Sequence, residues 1–281
     1  MREPAHGLSV VMIAKNSEQY LSIVLRALKE IADEIVLVDT GSTDTTLDIA
    51  RDHDCGIFKF PWANDFAAAK NFGIEQARFS WILNVDTDEV LYDRKAKAIL
   101  ESALRDESVP AYIIFLDNLF DSGRVESVKG LRLFRNDCRI RFTNPVHESI
   151  GESLYANWPA FAPPLLDIHL RHYGYLLRNA QGKHERNIVM MQSWIASEPD
   201  NIFANYKLGT TLSEAGRNEE AVAYLEKTFE LFTECRDRGS YPFLTAFIGE
   251  YCSLLVTMGH EEMAVQVKQL TMNWRLTPDA S

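Results

Sequence analysis

Ser80-Trp81-Ile82-Leu83-Asn84-Val85-Asp86-Thr87-Asp88-Glu89 is an apolar run of strand length that ends in a cluster of carboxylates. A run bounded this closely reads as a buried strand, and side chains at its carboxyl end sit where open α/β sheets gather their ligands. Asp86 and Asp88 are one residue apart, a spacing at which a short loop can turn both toward one divalent ion and leave places for diphosphate oxygens and water. As a bare string the tripeptide is common and reads as a solvated turn. The strand before it gives it weight.

Upstream, strand and helix signals alternate: strand 8–14, helix 18–31, strand 34–39, helix 43–52, strand 56–60, helix 66–77. Ser42 or Thr43 is placed to cap the helix at 43, and Asp44 to complement its dipole. This alternation implies a mostly parallel sheet covered on both faces. Asp39, at the tip of Val36-Leu37-Val38-Asp39-Thr40-Gly41-Ser42-Thr43-Asp44, is not explained by capping and could accept hydrogen bonds from a base or ribose. Ala14-Lys15-Asn16-Ser17-Glu18 closes the first strand, so three polar strand tips converge on one edge of the sheet.

Downstream, strand-like segments at 111–116, 130–134 and 140–142 add a mixed-sheet half, and the proline-rich stretch 158–164 leads to a last strand at 165–172. After Gly182 every segment is helical: 183–197, then a helix started by Pro199-Asp200-Asn201 and running to Ala215, a turn at Gly216, and a return helix 218–232. Leu212-Ser213-Glu214-Ala215-Gly216 recurs as Leu255-Val256-Thr257-Met258-Gly259, and Ala221-Val222 as Ala264-Val265. With Tyr206, Leu208 and Gly209 this resembles a tetratricopeptide unit; the alternative is an unrelated helical tail. The expected organisation is an α/β domain over 1–180 and an all-α, helical-repeat domain over 181–281.

The 281 residues carry a net charge of -11, with no Lys/Arg stripe interleaved with aromatics, which disfavours nucleic acid and anionic membranes as partners. Cys55, Cys138, Cys235 and Cys252 form no CxxC pair and read as reduced core thiols. The first seven residues are polar, with no signal-peptide pattern, and no stretch approaches the roughly 20 apolar residues of a transmembrane segment. The expected location is cytoplasmic, with peripheral attachment at the inner membrane face as a variant.

At this point the motifs resemble the family 2 glycosyltransferases of the GT-A fold, a Rossmann-like domain with a mixed, mostly parallel sheet. The first-strand loop with Ala14, Asn16 and Glu18 is similar to theirs. The run from Val38 to Thr46 is similar to their nucleotide-binding turn, and Ala69-Lys70-Asn71-Phe72-Gly73 to their Ala-Arg-Asn-x-Gly segment, with Lys70 where arginine is usual. Asp86-Thr87-Asp88 matches the metal-binding Asp-x-Asp. The resemblance covers about the first 175 residues. It is strongest to a bacterial branch with Trp62, Asp65 and Phe66, a Val146-His147-Glu148 motif and His172-Tyr173-Gly174-Tyr175 before helical repeats, as in lipopolysaccharide-core glucosyltransferases and some peptide glycosyltransferases.

The resemblance implies an inverting transfer of a hexose from a UDP-sugar to a glycan, lipid-linked saccharide or peptide acceptor in cell-envelope chemistry. It implies donor contacts from Ala14, Asn16, Glu18, Asp39, Ser42, Thr43, Asp44, Lys70, Asn71, Asp86 and Thr87, and a Mn²⁺ or Mg²⁺ ion held by Asp86, Asp88 and His172. Glu148 takes the place of the general base, with His147 as the competing base; His172 could equally be a hydrogen-bonded packing residue. Arg132, Arg135 and Lys129 could neutralise the diphosphate, whereas Trp62 and Phe66 read as core. Two other functions stay open. One is a nucleotidyltransferase, disfavoured because 8–18 lacks a Gly-rich basic loop, and the other an inactive transferase-like scaffold whose helical tail recruits a protein partner or mediates self-association.

Overall fold

The computed structural model describes residues 4–174, 176 and 183–275; Tyr175 and Gly182 lie outside the described residues. The chain divides into two compact units, Met1–Ala180 and Gln181–Ser281.

The first unit is built on an eight-stranded sheet. Its strands are β1 (Ala5–Ala14), β2 (Glu34–Asp39), β3 (Gly56–Lys59), β4 (Phe79–Asn84), β5 (Glu89–Leu91), β6 (Ala111–Leu119), β7 (Val125–Arg135) and β8 (Leu165–His172), in the order β3-β2-β1-β4-β7-β6-β8-β5. β3, β2, β1 and β4 are parallel; β7 then enters antiparallel between β4 and β6, and β5 antiparallel beside β8. This is the mixed, mostly parallel sheet expected from the sequence. Alternation along β1 separates two cores. Val10 and Met12 pack with Leu21, Val24, Leu25 and Leu28, whereas Val11 packs on the other face with Ile74 and Leu154.

Among the described residues, the sheet is flanked by α1 (Glu18–Leu28), α2 (Thr46–Asp52), α3 (Phe66–Gln76), α4 (Ala96–Ala103) and α5 (Gly151–Asn157). The buried residues of α1 recur at i, i+3, i+4 and i+7, with Glu18 in its first turn and Arg26 in its last to complement the dipole. Asp65 caps α3 by accepting from the Ala68 amide at 2.8 Å. A Cβ at Gly73 would lie 2.7 Å from Val11 Cγ1 and 2.9 Å from Val38 Cγ2, so only glycine lets α3 seat this closely on β1 and β2. One turn earlier on the same helix face is Lys70, which this seating presses against the carboxyl edge of the sheet.

Several expectations are corrected. Helix α2 begins at Thr46, so neither Ser42 nor Thr43 caps it; both are engaged with Asn16 in the preceding loop. Residues 140–142 form no strand, because Asn71 holds the Phe142 backbone in place of a neighbouring strand. The sequence reading gives no element for β5, α4 or α5, which span three, eight and seven residues. Of the four thiols Cys252 is buried, Cys138 is exposed and the other two are intermediate. Among the described residues no helix is long and apolar enough to cross a membrane.

The second unit contains α6 (Lys183–Ser197), α7 (Ile202–Glu214), α8 (Asn218–Glu234), α9 (Leu244–Thr257) and α10 (Glu261–Thr271). Asn201 caps α7 through the Ala204 amide at 2.9 Å. The repeated sequence forms a repeated turn. Gly216 and Gly259 both take left-handed φ, 77° and 79°, and the next amide reaches back to Leu212 O and Leu255 O respectively, at 2.8 Å in each case. Gly209 lets α7 and α8 touch, since a Cβ there would sit 2.6 Å from Leu225 Cδ2.

Candidate active site

The carboxyl ends of β1, β2 and β4 meet, and the first two loops are laced together. Asn16, at φ 51°, accepts from the Thr43 amide at 2.8 Å and donates its own amide to Ser42 Oγ at 3.0 Å. Glu18 accepts from Thr45, and the Glu18 amide donates to Asp44 Oδ2 at 3.3 Å. Asp39, 5% exposed, accepts from the Ser42 amide at 2.9 Å, and Ala14 O receives both the amide and the hydroxyl of Thr40. Thr87 joins the acidic loop to this edge by donating to Ser17 Oγ at 2.9 Å.

The acidic loop sits over a buried charge network. Lys70 Nζ lies 2.7 Å from Glu148 Oε1, 3.1 Å from Asn84 Oδ1 and 3.2 Å from Asp86 Oδ1. Arg132 Nη2 lies 2.8 Å from Glu89 Oε1 and 3.5 Å from Asp86 Oδ2, while its Nη1 donates to Asn84 Oδ1 at 3.1 Å. Burial alone would push the Asp86 carboxyl up, but Lys70 and Arg132 outweigh it and hold the group well below the usual carboxylate range. At Glu89, fully buried, desolvation wins over Arg132 and the carboxyl is pushed up. Burial would lower Lys70, yet Asp86 and Glu148 raise it, so it stays an ammonium.

Arg132 reaches this network through a register shift. Tyr112 pairs with Leu133 but Ile113 pairs with Leu131, leaving Arg132 as the extra residue of a bulge. Bulges re-aim side chains in this way beside functional sites. Arg135 and Lys129, grouped with it from sequence, do not join. Arg135 stacks on Trp81 at 4.2 Å and donates to the Asp106 and Val109 carbonyls; Lys129 is exposed opposite Phe115. Trp62 and Phe66 are half-buried and pack edge to face with each other.

His172 is set beside Asp88 by the pairing of β5 with β8. Its Nδ1 donates to Asn118 Oδ1 at 3.0 Å, which turns Nε2 toward Asp88 Oδ1 at 3.5 Å. Burial lowers the imidazole pKa, but Asp88 and Glu89 overcome this and raise it. One ring nitrogen fixed by an oxygen acceptor and the other beside a carboxylate is the arrangement that metal-ligating histidines use. Among the described residues, however, no group of three or more His, Cys, Asp or Glu is gathered to hold an ion, so Asp86, Asp88 and His172 are not a ready-made three-ligand site.

The loop 142–148 brings Glu148 in. Asn71 uses both ends of its amide on the Phe142 backbone at 2.9 Å, and Pro145 O accepts from the Phe66 amide at 2.8 Å. Asn144 and His147 take left-handed φ, 70° and 56°; His147 is exposed, whereas the Glu148 side chain is 15% exposed. Asn71 therefore acts on the loop. Sequence reading gave no role to Asn84 or Glu89. A buried-type asparagine and a third carboxylate in the same loop were the signals available.

Residues 9–151 match the model of glycosyl transferase family 2. The chain belongs to that family. Among curated relatives, it is 34% identical over 228 residues to a TPR repeat-containing protein of Synechococcus elongatus, covering 78% of this chain and 56% of that protein. It is 28% identical over 260 residues to the SPbeta prophage-derived glycosyltransferase SunS of Bacillus subtilis, covering 87% and 58%. The chain thus spans a little over half the length of these relatives. A solved structure of S. aureus TarS 1-349 in complex with UDP superposes with a TM-score of 0.52 at 15% identity, covering 98% of this chain and 93% of that one, a likeness of fold.

Proposed function

We propose that the chain is a UDP-sugar-dependent hexosyltransferase that inverts the anomeric centre, with the chemistry in residues 1–180 and the repeat in 181–281 serving the acceptor or self-association. The observation that carries this reading is the convergence of Asp39, the Asp86–Asp88 loop and Glu148 on one sheet edge in a family 2 chain. Asp39 and the laced loops 14–18 and 39–46 form the nucleotide floor. Asp88 and His172, with diphosphate oxygens, would hold a Mn²⁺ or Mg²⁺ ion. When bound, such an ion offsets the charge that develops on the leaving diphosphate. Asp86 stands behind it, already neutralised by two cations.

Glu148 is the proposed base. Its carboxyl lies 2.7 Å from the Lys70 ammonium and is shielded from bulk water, whereas exposed His147 is assigned no proton transfer. A carboxylate there takes the acceptor hydroxyl proton as the hydroxyl oxygen bonds the anomeric carbon and the UDP oxygen leaves. The acceptor is a glycan, a lipid-linked saccharide or a peptide, as suits a cell-envelope enzyme working in the cytoplasm or at the inner membrane face. The test is calorimetric titration of UDP with and without Mn²⁺. We expect metal-dependent binding in the wild type and its loss in Asp88→Ala; absence of nucleotide binding under every metal condition would sink the reading.

A further inference from the structure

An ammonium has three N–H donors, and at Lys70 each has an oxygen within reach: Asn84 Oδ1, Asp86 Oδ1 and Glu148 Oε1. The side chain is 4% exposed, the Phe142 ring lies 5.3 Å from Nζ, and the Gly73 contact holds α3 against the sheet. No donor is left for a nucleotide. The resemblance that groups Lys70 with donor contacts therefore does not describe what its ammonium does.

We propose that Lys70 is a positioning residue that fixes the Glu148 carboxylate relative to the acidic loop of the donor site. This rests on the assignment of Glu148 as the base.

Three features make the role specific. Glu148 sits on a loop with left-handed residues at 144 and 147, and a carboxylate in such a segment has no helix or strand to set its direction. The 2.7 Å contact to Lys70 supplies that direction, and the shortest of the three ammonium contacts is this one. The same nitrogen touches Asp86 and Asn84 at the end of β4, so the base and the acidic loop are referenced to one buried atom rather than to each other across solvent. Sub-ångström placement of a reacting group is worth orders of magnitude in rate, which is what such a tether protects. Asn71 anchors the loop at Phe142 and the Thr143–Ser149 bridge closes its base, which leaves Lys70 to fix the direction of the Glu148 side chain.

The role separates rate from affinity. Lys70→Met removes the tether but no donor contact. The assay is UDP release from UDP-glucose, UDP-galactose and UDP-N-acetylglucosamine with Mn²⁺, water serving as acceptor, alongside calorimetric UDP binding and circular dichroism. We expect Lys70→Met to lose about 10²-fold in kcat, with UDP affinity within about threefold. Lys70→Arg, which keeps the charge, should recover at least tenfold of that loss. In the Glu148→Gln background, Lys70→Met should cost less than about threefold, because the carboxylate it positions is gone.

Equal costs in the two backgrounds would overturn the positioning role. So would a tenfold loss of UDP affinity at unchanged kcat, which would return Lys70 to the donor site. If Lys70→Met does not fold, Lys70→Arg and Glu148→Gln decide: a folded Lys70→Arg no faster than Glu148→Gln refutes the tether. Full activity in Glu148→Gln removes the base assignment and this proposal with it, as does a wild type that releases UDP from no donor.

Discussion

Replacing Arg132 by Met tests whether the bulge on β7 does what its geometry implies. The guanidinium is 16% exposed and its main partner Glu89 is fully buried, at 2.8 Å. Removing one member of a buried pair typically costs 3–5 kcal/mol, because the other charge is left without compensation. Here Asp86 keeps Lys70 as a partner, so the cost falls on Glu89 and belongs at the low end, about 3 kcal/mol. That is roughly a 150-fold rise in the fraction open. Hydrogen exchange of the β4 and β7 amides under conditions of global opening, corrected for intrinsic rates, reads this directly.

The loss should also depend on pH. The Glu89 carboxyl has a folded-state pKa already raised above its unfolded value, so its ionised form opposes folding and stability falls as pH rises through that pKa. Without Arg132 the pKa climbs further. The penalty should therefore be largest at alkaline pH and shrink as pH falls through the raised pKa and Glu89 takes a proton. Adding Glu89→Gln should recover at least half of it at pH 8. A loss under about 1 kcal/mol, or one that Glu89→Gln leaves untouched, would refute the argument, since surface-like pairs are worth no more than that.

Two further outcomes are expected. Gly209→Ala should destabilise the helical unit by about 1–2 kcal/mol, overpacking against Leu225 and Ala221 O outweighing the gain in helix propensity, as read from a lowered melting temperature of the helical signal. The metal-dependent part of UDP affinity should fall as pH drops through the raised His172 pKa, by up to tenfold per unit, because an ion at Nε2 must displace a proton; a His172→Asn variant with the same pH profile would exclude the residue from the ion's shell.

The parallel half of the sheet was legible because each strand is an apolar run closed by a polar tip, as at Val36–Asp39 and Ile82–Asp86. The repeat was legible because Gly216 and Gly259 mark two identical turns 43 residues apart. What sequence could not show was tertiary. The β7 bulge has no residue signature, and without it Arg132, Arg135 and Lys129 are three similar cations on one strand; the register selects one of them. Ser42 and Thr43 carry a strong capping signal, but Asn16 at positive φ competes for both and delays the helix to Thr46. The sequence of Glu89, three residues long as a strand, conveys neither its pairing with His172 nor its depth.

The lacing of the first two strand-end loops has a consequence for anyone redesigning donor choice. Residues 16–18 and 42–46 exchange hydrogen bonds in both directions, so neither segment holds its backbone path alone. A graft of one loop from a relative arrives without the acceptors that its own amides need and strands those of the segment left behind. The exchangeable unit is the pair of segments, discontinuous in the gene and transplantable only together.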